Sequence, residues 1–135
     1  MQYVDTSALL KRYVAEPDSE LAERLLQEDP GWVAAAHTAV EVRRNLARVF
    51  TREPGLLRRA REAFLDDWET VHVVALDSHV CEQAAALAET TGARTLDALH
   101  LAAAQRAGAP ALRLVAFDLR LAQVARGLGW TVVGA

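Results

Sequence analysis

The stretch LRLVAFDLRLAQVARGLGWTVV, residues 112–133, decides the fold. Leu112–Phe117 is a short apolar run rich in branched residues, which marks a buried strand. Asp118 then offers a carboxylate to the free N–H groups of a new helix. Gly127–Gly129 ends that helix, and Trp130–Val133 reads as a second strand. Strand–helix–strand units of this kind build a mainly parallel sheet covered by helices, an α/β fold.

Outward from this unit the same alternation continues. Gln2–Asp5 forms a first short strand, and Leu9, Leu10, Tyr13 and Val14 recur at helical spacing. Pro17-Asp18 breaks that helix. Asp18 or Ser19 caps the next one, whose apolar side is Leu21, Leu25 and Leu26. After the Asp29-Pro30-Gly31 turn, Trp32–Ala35 is the second strand. Thr38 is the expected N-cap of a helix carrying Val42, Leu46, Val49 and Phe50 inward. Glu53-Pro54-Gly55 separates it from a fourth helix marked by Leu57, Ala60, Phe64, Leu65 and Trp68, so residues 38–68 form an αα-hairpin. Val71–Leu76 is expected to be a buried strand. Asp77 or Ser78 caps a helix that Thr91-Gly92 closes, and Thr95 caps an alanine- and leucine-rich helix ending at Gly108. Four to five strands result, with no linker or repeat, so residues 1–135 read as a single domain.

Composition narrows the function classes. Hydrophobic residues make up 52% of the chain, ample for a core and far from the disordered class. No apolar run reaches the roughly 18–20 residues of a membrane span, and Asp5 stands where a signal peptide would be apolar. A soluble, cytoplasmic protein with no membrane partner is the expectation. The lone Cys81 excludes an internal disulfide and a cysteine zinc cluster, and its helical setting predicts a small buried side chain. The net charge of −3 hides an uneven distribution. Seven arginines (Arg43, Arg44, Arg48, Arg52, Arg58, Arg59 and Arg61) face only Glu53 between them. They are either a solvated helix face or a set of phosphate contacts.

Asp5, Glu41, Asp97 and Asp118 all fall where strands end or helices begin. A parallel sheet delivers its C-terminal strand ends to one edge, where such folds bind ligands. Four carboxylates gathered there repel one another unless a cation sits between them, which points to a divalent-metal site. Each acid also has a purely structural account. Carboxylates at helix N-termini are favourable by about 0.3–1 kcal/mol. Thr38-x-x-Glu41 has the form of a capping box. Asp97 lies behind the Thr95 cap, and Asp118 is itself a cap. Asp5 resists this account most, because it ends a buried strand with no basic residue before Lys11 and Arg12. Asp77 holds the same kind of position and serves as a control. His37, His72, His79 and His100 show no metal-ligand spacing. His100 lies one turn from Asp97, where it either faces the site or, as is more usual, forms part of the helix surface. Trp32, Trp68 and Trp130 suit core or interface positions, and aromatics at 6% offer no stacking platform.

The blocks YVDTSALLKRYVAEPDSE, HTAVEVRRNLARV, RTLDALHLAAAQ and LVAFDLRLAQVARGLGWTVV occur in order along nearly the whole chain. Together they resemble the PIN-domain nucleases, and within them the VapC-type toxins of toxin–antitoxin pairs. The resemblance implies a three-layer α/β/α PIN-like fold and a ribonuclease that cuts RNA phosphodiester bonds. It also implies that Asp5, Glu41, Asp97 and Asp118 are the catalytic acids binding Mg²⁺ or Mn²⁺, with Ser7 orienting the cluster. Many members carry a hydroxyl two positions before the last acid, where this chain has Ala116. A homodimer and a small antitoxin partner are implied as well. An exposed stripe of Leu9, Tyr13 and Leu25 is expected to receive the antitoxin. Arg43, just past Glu41, is the leading phosphate-contact candidate and Arg94 the second. Two rivals remain: a phosphoaspartyl enzyme using Asp5 or Asp118, in which Ser7 stands where a second aspartate is wanted, and a non-catalytic α/β binding module.

Overall fold

Three buried residues, Gln2–Val4, form strand β1 and carry the centre of the molecule. The computed structural model describes residues 1–135. In it β1 lies between β2 (Trp32–Ala35) and β4 (Leu114–Ala116), with β3 (His72–Val74) and β5 (Val132–Gly134) at the edges. The order is β3-β2-β1-β4-β5, and every pairing is parallel. Helices α1 (Thr6–Tyr13) and α2 (Ser19–Glu28) join β1 to β2. Helices α3 (Thr38–Val49) and α4 (Pro54–Trp68) join β2 to β3. Helices α5 (Ser78–Thr91) and α6 (Thr95–Ala107) lead to β4, and α7 (Leu119–Gly127) leads to β5. The hairpin expected over residues 38–68 is present, and two further helix pairs flank it in sequence.

Side chains alternate across a strand, and β1 therefore feeds two cores. Tyr3 packs with Val33, Leu101, Leu114 and Trp130 beneath α5, α6 and α7. Val4 packs with Leu9, Leu26, Leu46, Phe64 and Val115 beneath α1–α4. Helices cover both faces, giving three α/β/α layers. Such coverage explains why the central strands read as unbroken apolar runs. Gly92 ends α5 at φ 72, a left-handed conformation that disfavours a side chain.

Several local expectations are corrected. Leu9 is 1% exposed, and Tyr13 and Leu25 pack against the same core. No exposed stripe runs along the first two helices, because the sheet consumes it. His72 and Val73 are exposed, since β3 is an edge strand and only Val74 is buried. Cys81 is exposed rather than buried. His37, not Thr38, occupies the N-cap of α3, and Arg94, not Thr95, that of α6. Neither helix receives a side-chain cap bond from those residues.

The chain steps from β1 outward through β2 to β3, then returns to the other side of β1 as β4. This places the topological switch between β1 and β4, beside the C-terminal ends that carry Asp5 and Asp118.

Candidate active site

Asp5 and Asp118 each end a strand and cap the helix that follows. The Asp5 carboxylate accepts from the Ala8 N–H at 3.0 Å. Asp118 accepts from Arg120 and Leu121 at 2.9 and 3.1 Å. Ser7 ties the two strand ends together. Its hydroxyl donates to Asp5 at 2.7 Å and accepts from the Phe117 and Asp118 N–H groups at 2.8 and 3.1 Å. Ala116 supplies no hydroxyl at that end of β4, and Ser7 supplies the bond from across the sheet.

Asp5 is 3% exposed and has no basic side chain bonded to it. Burial pushes its carboxyl up to about 6, against the opposing pull of His100 and the Ser7 and Ala8 hydrogen bonds. Asp97, in the first turn of α6, is held by Arg94 instead. The Arg94 guanidinium reaches Asp97 Oδ2 at 2.8–2.9 Å and Asp118 Oδ2 at 3.3 Å, so a cation already bridges two of the four acids.

Glu41 is engaged from α1 and α6 rather than by its own helix end. Thr6 donates to Glu41 Oε1 at 2.8 Å, and His100 Nε2 lies 2.8 Å from the same oxygen. The capping box suggested by Thr38 and Glu41 is therefore not formed, and the Thr38 hydroxyl is buried without a partner. Burial works to raise the Glu41 pKa, but its bonds to His100 and Thr6 hold it below the ordinary value. His100 is oriented from behind by Tyr3, whose Oη lies 2.8 Å from His100 Nδ1 and accepts from the Ala35 N–H.

Asp5, Ser7, Glu41, Asp97 and Asp118 line one recess, together with Thr6, Leu10, Asn45 and His100. Asp77 lies elsewhere, capping α5 and facing Arg106 at 3.9 Å. Arg43 is exposed and sits in a separate shallow pocket with Ala39, Val40 and Arg44. Arg94, ranked behind it on sequence, is the arginine that touches the acids. His100, Thr6 and Asn45 are additions. The one-turn offset of His100 from Asp97 was the available signal for the first, and nothing local marked the other two. No three of the four acids bring ligand atoms within 4.8 Å of one another. The only three metal-ligating side chains whose ligand atoms all lie within 4.8 Å are His37, Glu41 and His100.

The donor set suits a hard divalent ion, because carboxylates dominate the recess and Asp5 is left without a cationic partner. Comparison with known proteins agrees with this geometry. Residues 2–127 match the PIN domain family. The chain is 36% identical over 131 residues to Ribonuclease VapC46 of Mycobacterium tuberculosis, covering 97% of this chain and 95% of that protein. It is 35% identical to Ribonuclease VapC35 of the same organism, covering 98% and 96%. Among solved structures, a toxin–antitoxin complex from Klebsiella pneumoniae superposes with a TM-score of 0.75 at 18% identity, covering 99% of this chain and 97% of that one. Mycobacterium tuberculosis VapC20, a Sarcin-Ricin loop cleaving toxin, gives 0.72 at 21% identity, covering 91% and 94%. These matches run nearly end to end, and the chain belongs to the PIN-domain family, in its VapC group.

Proposed function

We propose that this protein is an endoribonuclease toxin that cleaves RNA phosphodiester bonds using Mg²⁺ or Mn²⁺ held by Asp5, Glu41, Asp97 and Asp118. The observation that carries the reading is a single recess over the topological switch, lined by these four acids, in a chain aligned end to end with ribonucleases of the VapC group. When bound, the ion would supply Lewis acidity toward a phosphate oxygen and lower the pKa of an attacking water. The protein's own residues do the rest. Ser7 fixes the Asp5 carboxylate and joins it to the β4 end. Arg94, once freed from Asp97 and Asp118, is placed to hold the scissile phosphate through its planar fork of donors. The seven arginines between Arg43 and Arg61 form no ion pair within the chain, and all but Arg61 are exposed. Their charge is free to track an RNA backbone, Arg43 included.

A cognate antitoxin is the second partner in this reading, consistent with the fold shared with a toxin–antitoxin complex. Val40, Leu96 and Leu119 are 69, 49 and 67% exposed, and each neighbours one of the acids in sequence. They replace the buried Leu9 stripe as the apolar surface an antitoxin would cover. A homodimer acting in the cytoplasm completes the proposal.

The phosphoaspartyl alternative loses support from Ser7. That hydroxyl is committed to Asp5, Phe117 and Asp118, leaving no second carboxyl two residues after the nucleophile. A pure capping role accounts for Asp5 and Asp118 but not for Glu41 or Asp97. The deciding experiment is RNA cleavage with Mg²⁺ or Mn²⁺ by wild type, Asp5→Ala, Asp97→Ala and the control Asp77→Ala, each checked by thermal melting. Cleavage should fall at least about 100-fold in the first two and persist in the control. Equal behaviour of all three variants would overturn the proposal.

A further inference from the structure

His37 is the least satisfied side chain in the molecule. Both of its ring nitrogens are buried and neither makes a hydrogen bond of good geometry, the Leu96 backbone being the one group that approaches the ring. An imidazole left this way loses its water without compensation. Its Nε2 stops 3.4 Å from Glu41 Oε1, and its ring lies 4.2 Å from that of His100. Burial and the neighbouring His100 keep it uncharged, with a pKa near the value of about 4. A neutral imidazole therefore brings Nε2 beside a carboxylate and a second imidazole without completing a hydrogen bond to either.

We propose that His37, Glu41 and His100 form a binding site for a borderline transition-metal ion of the Zn²⁺ or Co²⁺ class. Two imidazoles and one carboxylate are the ligand chemistry such ions select, whereas Mg²⁺ selects oxygen. Donors bound tetrahedrally at about 2.0–2.1 Å stand roughly 3.3 Å apart. The His37–Glu41 separation of 3.4 Å already has that span. The His100–Glu41 contact of 2.8 Å would open by roughly 0.5 Å as the ion replaces the hydrogen bond. Supporting contacts are in place: Tyr3 Oη stands behind His100 at Nδ1, and Thr6 holds Glu41 Oε1. His37 sits at the N-cap of α3, Glu41 lies one turn into it and His100 comes from α6, so the ion would staple two helices. Three protein ligands leave a further position toward the recess.

Glu41 belongs to both sets of ligands. An ion on His37 and His100 would withdraw that carboxylate from the acid recess. A Zn²⁺-class ion is then an inhibitor of Mg²⁺-dependent cleavage, a consequence that rests on the ribonuclease reading above.

The test is Co²⁺ titration of the full chain by visible absorption, in excess Mg²⁺. One Co²⁺ per chain with the intense bands of a low-coordinate nitrogen–oxygen site is expected for wild type and for the exposed control His79→Ala. His37→Ala and His37→Gln should weaken binding by more than about tenfold. Should either variant fail to fold, imidazole-nitrogen NMR of wild type with Zn²⁺ gives the same answer, with shifts at His37 and His100 and none at His72 or His79. A Co²⁺ spectrum that stays that of the hydrated ion, or binding unchanged in the His37 variants, overturns the site. In the cleavage arm, Zn²⁺ should slow wild type relative to its own Mg²⁺ rate and slow His37→Ala less. Equal slowing of the two overturns the inhibitory role. A wild type that never cleaves RNA refutes the ribonuclease reading while the spectra still decide the metal site.

Discussion

The two ends of β1 handle buried polarity in opposite ways. At the N-terminal end Gln2 is fully buried and fully bonded. Its amide donates to the carbonyls of Leu25, Leu26 and Asp29 at 2.9, 3.3 and 3.0 Å, and its oxygen accepts from Arg113 at 2.8 Å. Arg113 is in turn paired with Glu28 at 2.9 Å. Three residues along, Asp5 has a hydroxyl and one N–H but no basic side chain. Complete satisfaction at one end is what folding alone selects. Incomplete satisfaction at the other is a residual cost that a bound cation would remove, and such conflicts collect at functional sites.

The sharpest way to break this contrast is to swap the two effects. Asp5→Asn keeps an oxygen for the Ala8 N–H but removes the charge. RNA cleavage should fall on the order of 10³-fold, while the metal-free protein should melt higher at pH 8. Gln2→Leu should do the reverse. It strands the Arg113 Nε–H and the Asp29 carbonyl, while the Leu25 and Leu26 carbonyls keep Arg113 and Trp32 as donors, so urea unfolding should show a loss of roughly 2 to 3 kcal/mol, with the cleavage rate per folded molecule unchanged. A Gln2→Leu protein that is stable but inactive, or an active Asp5→Asn, would erase the distinction between the two ends.

The pH dependence sharpens the same point. Folding raises the Asp5 carboxyl from its ordinary 3.8 to about 6, so between those values the native state holds more protons than the unfolded chain. Stability must therefore fall as pH rises through this window and level off above it. The shift corresponds to about 2 to 3 kcal/mol. Urea titrations of metal-free wild type from pH 4 to pH 8 should show the fall, and Asp5→Asn should flatten that part of the curve. A wild-type curve that rises across the window would mean that Asp5 is paired in solution.

The parts of the molecule written in local patterns were legible. The strand–helix–strand unit of residues 112–133, the strand Trp32–Ala35, and the caps Asp77 and Asp118 all follow from periodicity and capping chemistry acting over a few residues. Asp5 and Asp118 could be located because strand ends in a parallel sheet converge on one edge, whereas choosing Glu41 and Asp97 over Asp77 rested on the resemblance to PIN-domain nucleases. What stayed hidden depends on packing between distant helices. Thr6, Glu41 and His100 come from α1, α3 and α6, and no spacing within one segment encodes their contact. Glu41 looked like half of a capping box because Thr38 has the right spacing, yet a Thr6 hydroxyl and a His100 ring reach it first. The stripe Leu9, Tyr13 and Leu25 has the pattern of any amphipathic face, and pattern alone cannot say whether a sheet or a partner covers it.

The smallest expected effect concerns Arg94, the one side chain that already does at the acid recess what a metal ion would do. It bridges Asp97 and Asp118 from an exposed position, so water and salt screen much of its attraction. A guanidinium in that place competes with a divalent ion for the same two carboxylates. Arg94→Ala should therefore tighten Mn²⁺ binding by about threefold at low salt, measured by calorimetry or by Mn²⁺ magnetic resonance, and the gain should shrink as salt is added. Cleavage should nevertheless slow, because the residue that leaves the acids is the one placed to hold the phosphate. Arg94→Lys, which keeps the charge but loses the planar fork, should bind Mn²⁺ like wild type and still cut more slowly. If Arg94→Ala instead weakens Mn²⁺ binding, the guanidinium orders the acids rather than competing for them, and the recess would be closer to the satisfied end of β1 than the contrast allows.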